Sequence, residues 1–215
     1  MTSDGAVGGD PSRRLTPLDR SFYRRPVLLV ARACIGKVLV HDTPEGLAAG
    51  RIVESEAYRG PSDLAAHSAR GRRTQRTEVM YGPPGIVYMF LLYGMHWAFN
   101  AVVGEEGEPH AVLVRAIEPT HGLALMSQRR GVAAGRVELT NGPGKLCAAL
   151  GLNGASYGKD LCGGELFLAD DERGRPPTKI GRSPRINVDY AGSWAKKSWR
   201  FYERGNRYVS VNPRN

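Results

Sequence analysis

The chain has 215 residues, enough for one sizeable core, and its 41% hydrophobic and 24% charged content is ordinary for a globular domain. Thirty Lys and Arg against 21 Asp and Glu give a net charge of +9, which points to a polyanionic partner, nucleic acid before an anionic membrane. The three scattered cysteines, Cys34, Cys147 and Cys162, form no Cys-x-x-Cys pair and argue against a zinc knuckle, and the longest apolar run, residues 86–93, is too short to span a bilayer.

Residues 1–14 are rich in Gly, Ser and Asp and are expected to form a disordered tail ahead of one domain over residues 15–215. No N-terminal apolar run precedes a cleavage site, so no signal peptide is expected. A buried helix is predicted over residues 26–35, with Pro26 in its first turn and Gly36 as its stop. A strand over residues 37–41 follows, and a turn over residues 43–46 leads into a long strand ending near Tyr58. Side chains alternate along a strand, so Glu54, Glu56 and Tyr58 share one face. Gly60-Pro61-Ser62-Asp63 reads as a turn that caps a short helix carrying His67. Residues 86–93 and 97–103 are two apolar strands, joined by a hairpin tip at Gly94, Met95 and His96. Residues 111–117 form a further buried strand ended by Pro119, and residues 123–130 and 144–150 form short helices. Residues 179–190 and 199–211 are predicted as late strands, the second broken at Arg204-Gly205-Asn206. With no repeat and no dividing linker, the expected class is α+β: a single mixed domain with a largely antiparallel curved sheet, short helices around it and a protruding β-hairpin.

Two acids and a ring on one face of an apolar strand build a core poorly. They suit a pocket that positions water against an aromatic substrate, although an edge strand with its charged face in solvent gives the same pattern. Several common machines are absent. Asn141-Gly-Pro-Gly-Lys145 resembles a phosphate loop, but Leu139 stands where its first glycine belongs. There is no zinc-deaminase signature, no His-x-x-x-His and no Gly-x-Ser-x-Gly elbow, so neither a metal nor another cofactor is expected. Tyr58, Tyr88, Phe90, Tyr93 and Trp97 lie close together in the sequence with basic residues among them. Tyr88 and Phe90 share a face, for which plain core is the competing reading. Tyr93, beside the Gly94 turn, is hard to bury, and an aromatic side chain at a hairpin tip can act as a wedge between base steps.

These motifs together resemble the alkyladenine (3-methyladenine) DNA glycosylases of the mammalian type. The resemblance rests on RIVESEAY over residues 51–58, GPSDLAAHS over 60–68, YGMHWAFN over 93–100, VLVRAIEP over 112–119 and NGPGKLC over 141–147, with RFYERG and YVSV near the end. It spans residues 15–213 and implies a fold that is not helix-hairpin-helix. It implies a monofunctional enzyme that flips an alkylated or deaminated purine out of double-stranded DNA and hydrolyses its glycosidic bond, leaving an abasic site. By the same resemblance Glu56 is the general base, Arg115 orients the water and sugar-phosphate, and Tyr58 stacks on one face of the extruded base. His67 contacts its edge and opposite face. Phe90 occupies the place of a stacking tyrosine. Asn100 clashes with the 2-amino group of normal guanine. Tyr93 intercalates, Met95 supports it, and Arg72 and Arg76 meet the DNA backbone. Glu54 falls to structure, and no lysine is expected in the pocket for a Schiff base. A monomer on DNA in the cytoplasm, with no membrane partner, is implied.

Three departures from the family pattern stand out. Phe90 replaces a tyrosine, His96 replaces an aromatic near the hairpin tip, and two residues are added in the 104–110 turn. A non-catalytic nucleic-acid-binding or damage-sensing module is the alternative reading. It accounts for the charge and the aromatics, but not for an acid held beside a phosphate-binding surface.

Overall fold

The computed structural model describes residues 15–211, so the tail expected over residues 1–14 lies outside it. In chain order the elements are α1 (Arg20–Tyr23), α2 (Val27–Cys34), β1 (Val38–Thr43), β2 (Gly46–Arg59), β3 (Val87–Leu92), β4 (His96–Val103), β5 (His110–His121), α3 (Leu123–Arg130), α4 (Pro143–Leu150), β6 (Leu166–Ala169), β7 (Ile180–Ser183) and β8 (Arg200–Glu203). The strands form one antiparallel sheet in the order β3-β4-β5-β2-β1-β6, with β8 added to β2 and β7 to β8. β5 follows one edge of β2 from Ala49 to Arg59. The other edge is shared: β1 takes the first half, pairing Val38 with Arg51, and β8 takes the second, pairing Tyr202 with Glu54. The expected α+β class and protruding hairpin are therefore what the structure has. Among the described residues no helix is long and apolar enough to cross a membrane.

The helices cover one face of the sheet because their apolar residues recur with helical spacing. In α2, Val27, Val30, Ala31 and Cys34 are buried at i, i+3, i+4 and i+7. In α4, Pro143 opens the first turn, Leu146, Cys147, Ala149 and Leu150 are buried, and Gly151 at φ +73° ends the helix. These side chains pack on Ile52, Phe99, Val112 and Val114 of the sheet. Burying each large aliphatic side chain in such a core contributes about 1.5–3 kcal/mol. Ser55 faces the same side and donates to Ala31 O at 2.7 Å. Glu54, Glu56 and Tyr58 are left on the opposite face.

Two irregularities bend the sheet at the acids. Between Ile52 and Glu54 the register gives β2 one extra residue against β5, and between Glu54 and Ser55 it gives β5 one extra residue, Arg115. Such bulges increase local twist and re-aim side chains. Here they turn Arg115 toward both acids.

Several local expectations are corrected. His67 sits in a run of turns before the 3-10 helix Ala69–Gly71, not on a helix. β5 runs through Pro119 to His121, because the irregularity between Ala49 and Gly50 spares the ladder the N–H that proline lacks. The strand expected over residues 179–190 stops at Ser183, before Pro184, and the chain then turns through Asn187 at φ +58° into the 3-10 segment Asp189–Lys196. The strand expected over residues 199–211 breaks at the expected Arg204-Gly205-Asn206 turn, after Glu203, but no strand resumes beyond it among the described residues. α1 and β6 were not predicted.

Candidate active site

Glu54 and Glu56 are both fully buried, yet their surroundings differ. Glu54 Oε1 accepts from Arg115 Nε (3.1 Å), Arg200 Nε (2.7 Å) and Ser210 Oγ (3.0 Å), and its Oε2 accepts from Ser210 N (2.6 Å). A carboxylate offers about four acceptor sites, and Glu54 accepts four bonds, three of them crowded on Oε1. Glu56 Oε1 accepts from Ile186 N (2.8 Å), and its Oε2 accepts from the Tyr58 hydroxyl (2.8 Å) and Arg115 Nη1 (3.4 Å). Among the described residues that leaves one acceptor position on Glu56 Oε1. The two bonds from Arg115 tie the acids into a single unit.

In front of this unit lies a cavity of about 550 Å³. Tyr58, His67, Phe90, Tyr93, Asn100 and Arg115 all line it, so six of the expected site residues converge. Glu56 stands immediately behind the wall, and its three hydrogen-bond donors, Tyr58, Arg115 and Ile186, form that part of the wall. His67 Nδ1 and the Tyr88 hydroxyl are 2.7 Å apart, and the Phe90 ring meets the His67 ring edge-on with centroids 4.5 Å apart. Phe90 meets His67 through its ring alone, and the polar partner of His67 is Tyr88. Asn100 is buried and donates from Nδ2 to Tyr88 O at 3.1 Å, which fixes its amide at the cavity wall.

Electrostatics follow from burial and neighbours. Burial, then the Arg76 and Arg72 charges, push the His67 imidazole down to about 4, so it is neutral at physiological pH. Burial and the adjacent Glu56 carboxylate raise the Tyr58 phenol well above its ordinary value, which keeps it a donor. Burial disfavours the Arg115 charge, but Glu56 and Glu54 outweigh it and hold the guanidinium above its usual range.

Tyr93 and Met95 stand at the tip of the β3–β4 hairpin, 75% and 72% exposed. Tyr93 lines the mouth of the cavity, and Met95 projects beside it, outside the lining. Arg72 and Arg76 are exposed and line an adjoining cleft that shares His67 and Tyr190 with the main cavity.

Sequence reasoning missed several contributors. Tyr88 reads as core, and it is buried, yet its hydroxyl holds His67. Arg185 is buried in a bidentate pair with Asp63 (Nη2 to Oδ1 2.9 Å) and donates to Ala57 O at 2.9 Å. Its guanidinium lies 4.7 Å from the Tyr58 ring centroid and 5.2 Å from that of Trp199. Asp63 also accepts from Arg59 N and Ala65 N at 3.1 and 3.0 Å, shaping the turn that leads to His67. The one available signal was Asp63 at a turn. The expectation of no lysine at the pocket is corrected: α4 brings Lys145 to the cavity wall, with Nζ donating to Asn141 Oδ1 at 2.8 Å. α4 comes this close because Gly144 has no side chain; a Cβ there would lie 2.7 Å from His96 Cβ.

Comparison with known proteins bears on this geometry. A sequence model of the family described as methylpurine-DNA glycosylase matches residues 21–207. A protein of Desulfitobacterium hafniense named "Putative 3-methyladenine DNA glycosylase" is 48% identical over 201 residues, which cover 90% of this chain and 98% of the relative. Proteins with the same name from Bacillus licheniformis and Bacillus subtilis are 47% and 45% identical, covering 90% and 93% of this chain and 96% and 99% of their own length. These relatives are bacterial, so they support the family and not the mammalian type within it.

Proposed function

The chain belongs to the methylpurine-DNA glycosylase family, DNA glycosylases that act on alkylated purines, and from that premise we propose that it extrudes the damaged purine and hydrolyses its bond with a Glu56-activated water. The observation that carries this reading is the contrast between the acids: Glu54 accepts four bonds, two from arginines and two from Ser210, whereas Glu56 accepts three, all from residues that line the aromatic cavity.

The chemistry follows from the side chains. A purine inside a duplex is out of reach, and extruding it costs roughly a few kcal/mol, least for damaged pairs. Stacking on aromatic rings recovers about 1–3 kcal/mol per base, and Tyr58, Phe90 and His67 offer those rings. Tyr93, with Met95 beside it, enters the duplex where the base was, and Arg72 and Arg76 hold phosphates. As the glycosidic C–N bond breaks, its electron pair leaves with the purine, and the sugar becomes oxocarbenium-like. The buried carboxylates stabilise that charge. A water attacks the sugar carbon and gives its proton to Glu56, a contribution of about 10²–10⁴-fold, and Arg115 orients both partners. A purine cationic through alkylation leaves neutral, so it requires no acid. The Asn100 amide obstructs a guanine 2-amino group, favouring purines without one. Hydrolysis leaves an abasic site in an intact strand, with Lys145 held on Asn141 and not used as a nucleophile. A monomer acting on duplex DNA suffices for these steps.

The test is base release from a duplex carrying one alkylated purine, ethenoadenine or hypoxanthine. Free base and a strand that breaks only on alkali treatment are expected. No release from any of the three, with salt-sensitive DNA binding retained, would replace this reading with a damage-binding module. Strand breakage without alkali would overturn the monofunctional part.

A further inference from the structure

Asn187 Nδ2 donates to the Tyr93 hydroxyl at 3.1 Å, joining the hairpin tip to the loop that follows β7. Both residues are exposed and line the cavity, so this contact lies at its solvent side. Both also have positive φ, +51° for Tyr93 and +58° for Asn187, a conformation that among the described non-glycine residues only Arg70 shares. Asparagine enters the left-handed region readily, whereas tyrosine rarely does. The turn imposes it on Tyr93: Gly94 follows at φ +70°, and Met95 N closes on Leu92 O at 3.0 Å. The turn thus fixes the Tyr93 backbone, but it does not fix the side-chain torsions of a ring that is 75% exposed. The bond from Asn187 is the one side-chain hydrogen bond of that ring among the described residues.

The neighbour of Asn187 gives this contact its meaning. Ile186 N donates to Glu56 Oε1 at 2.8 Å. Two consecutive residues of one loop therefore hold the acid behind the cavity and the ring at its mouth, which sets their separation before DNA arrives.

We propose that Asn187 is a positioning residue that presets Tyr93 over the cavity, so that the ring enters the duplex in register with Glu56. This rests on the reading of Tyr93 as the wedge given above. Presetting acts on capture of the extruded base, because a ring already in place loses less freedom on binding. It does not act on bond breakage.

The test uses the full chain and a duplex with one ethenoadenine. Asn187→Gly removes the amide and keeps a backbone at ease with φ +58°. Lesion-duplex affinity and KM are expected to worsen about two- to tenfold, the size of one neutral hydrogen bond, with kcat under saturating duplex changed less. Tyr93→Phe keeps the ring and loses the hydroxyl, and is expected to match it. The double variant is expected to fall no further than either single variant. Equal or tighter lesion binding by Asn187→Gly, as a latch across the mouth would give, overturns the proposal, and so do additive losses in the double variant. Native enzyme is measured in parallel. If it releases base while Asn187→Gly captures the lesion normally, only the role of Asn187 fails. If it releases none from this duplex or from one carrying an alkylated purine or hypoxanthine, the reading of the site fails and this role with it.

Discussion

The Tyr58 hydroxyl donates to Glu56 Oε2 across 2.8 Å, and both side chains leave the same face of β2. The ring that lines the cavity and the acid behind it are one mechanical unit. Arg185 lies over the Tyr58 ring, and Ile186 N–H holds the other oxygen of Glu56, so the loop after β7 braces both members.

Tyr58→Phe removes the donor and keeps the stacking surface. A hydrogen bond to a charged group contributes about 1.5–3 kcal/mol, so kcat for base release is expected to fall roughly ten- to hundredfold with lesion affinity largely retained. Single-turnover kinetics on a lesion duplex, beside an equilibrium binding titration, check this. An equal loss in both quantities would mean that the hydroxyl serves the base and not the acid.

Glu54→Ala is expected to act on stability. It leaves the buried Arg200 guanidinium without its carboxylate and deprives Arg115 of one of two. Breaking a buried ionic network from one side costs about 3–5 kcal/mol, read as a lowered urea midpoint. Glu56→Gln keeps the shape and polarity of its site, so a much smaller shift is expected there.

His67 makes stability depend on pH. Its folded value is pushed down to about 4 from an ordinary 6.5, by burial first and by Arg76 and Arg72 next. Between those values the unfolded chain binds a proton that the folded chain does not. The stabilisation from neutral His67 is therefore complete above about pH 6.5 and is lost as pH falls through about 4. His67→Gln is expected to show a shallower decline between pH 6.5 and 4 in denaturant titrations. A decline as steep as the native one would assign the effect to other groups.

Arg72→Ala and Arg76→Ala test the adjoining basic cleft. Each phosphate contact contributes a slope of about −0.9 to the dependence of log affinity on log salt. Each substitution is expected to make that slope shallower by about that amount, with kcat at saturating duplex little changed. An unchanged slope would take that arginine off the backbone.

How much of this was legible in the sequence depends on whether the signal is local. β2 shows its acids and Tyr58 through period-two alternation, and α2 shows its buried stripe through Val27, Val30, Ala31 and Cys34. The β3–β4 hairpin is announced by Gly94 between two apolar runs. The bulges at Glu54 and Arg115 are a property of strand pairing, and no single strand carries them. The Arg185–Asp63 and Arg200–Glu54 pairs join residues 122 and 146 positions apart, beyond any periodicity. Ile186 contributes a backbone N–H, which its side chain does not advertise. The late strands end at local breakers: Pro184, masked by the apolar residues around it, and the Arg204-Gly205-Asn206 turn, beyond which no strand resumes among the described residues.

The most direct measurement of the central claim is single-turnover base release by Glu56→Gln from a duplex carrying one ethenoadenine, with lesion binding measured on the same preparation. The account predicts native-like, salt-sensitive binding and loss of at least about 10²-fold in release, the lower bound for a general base. Release within a few-fold of native would contradict it, and would move the activation of water away from Glu56.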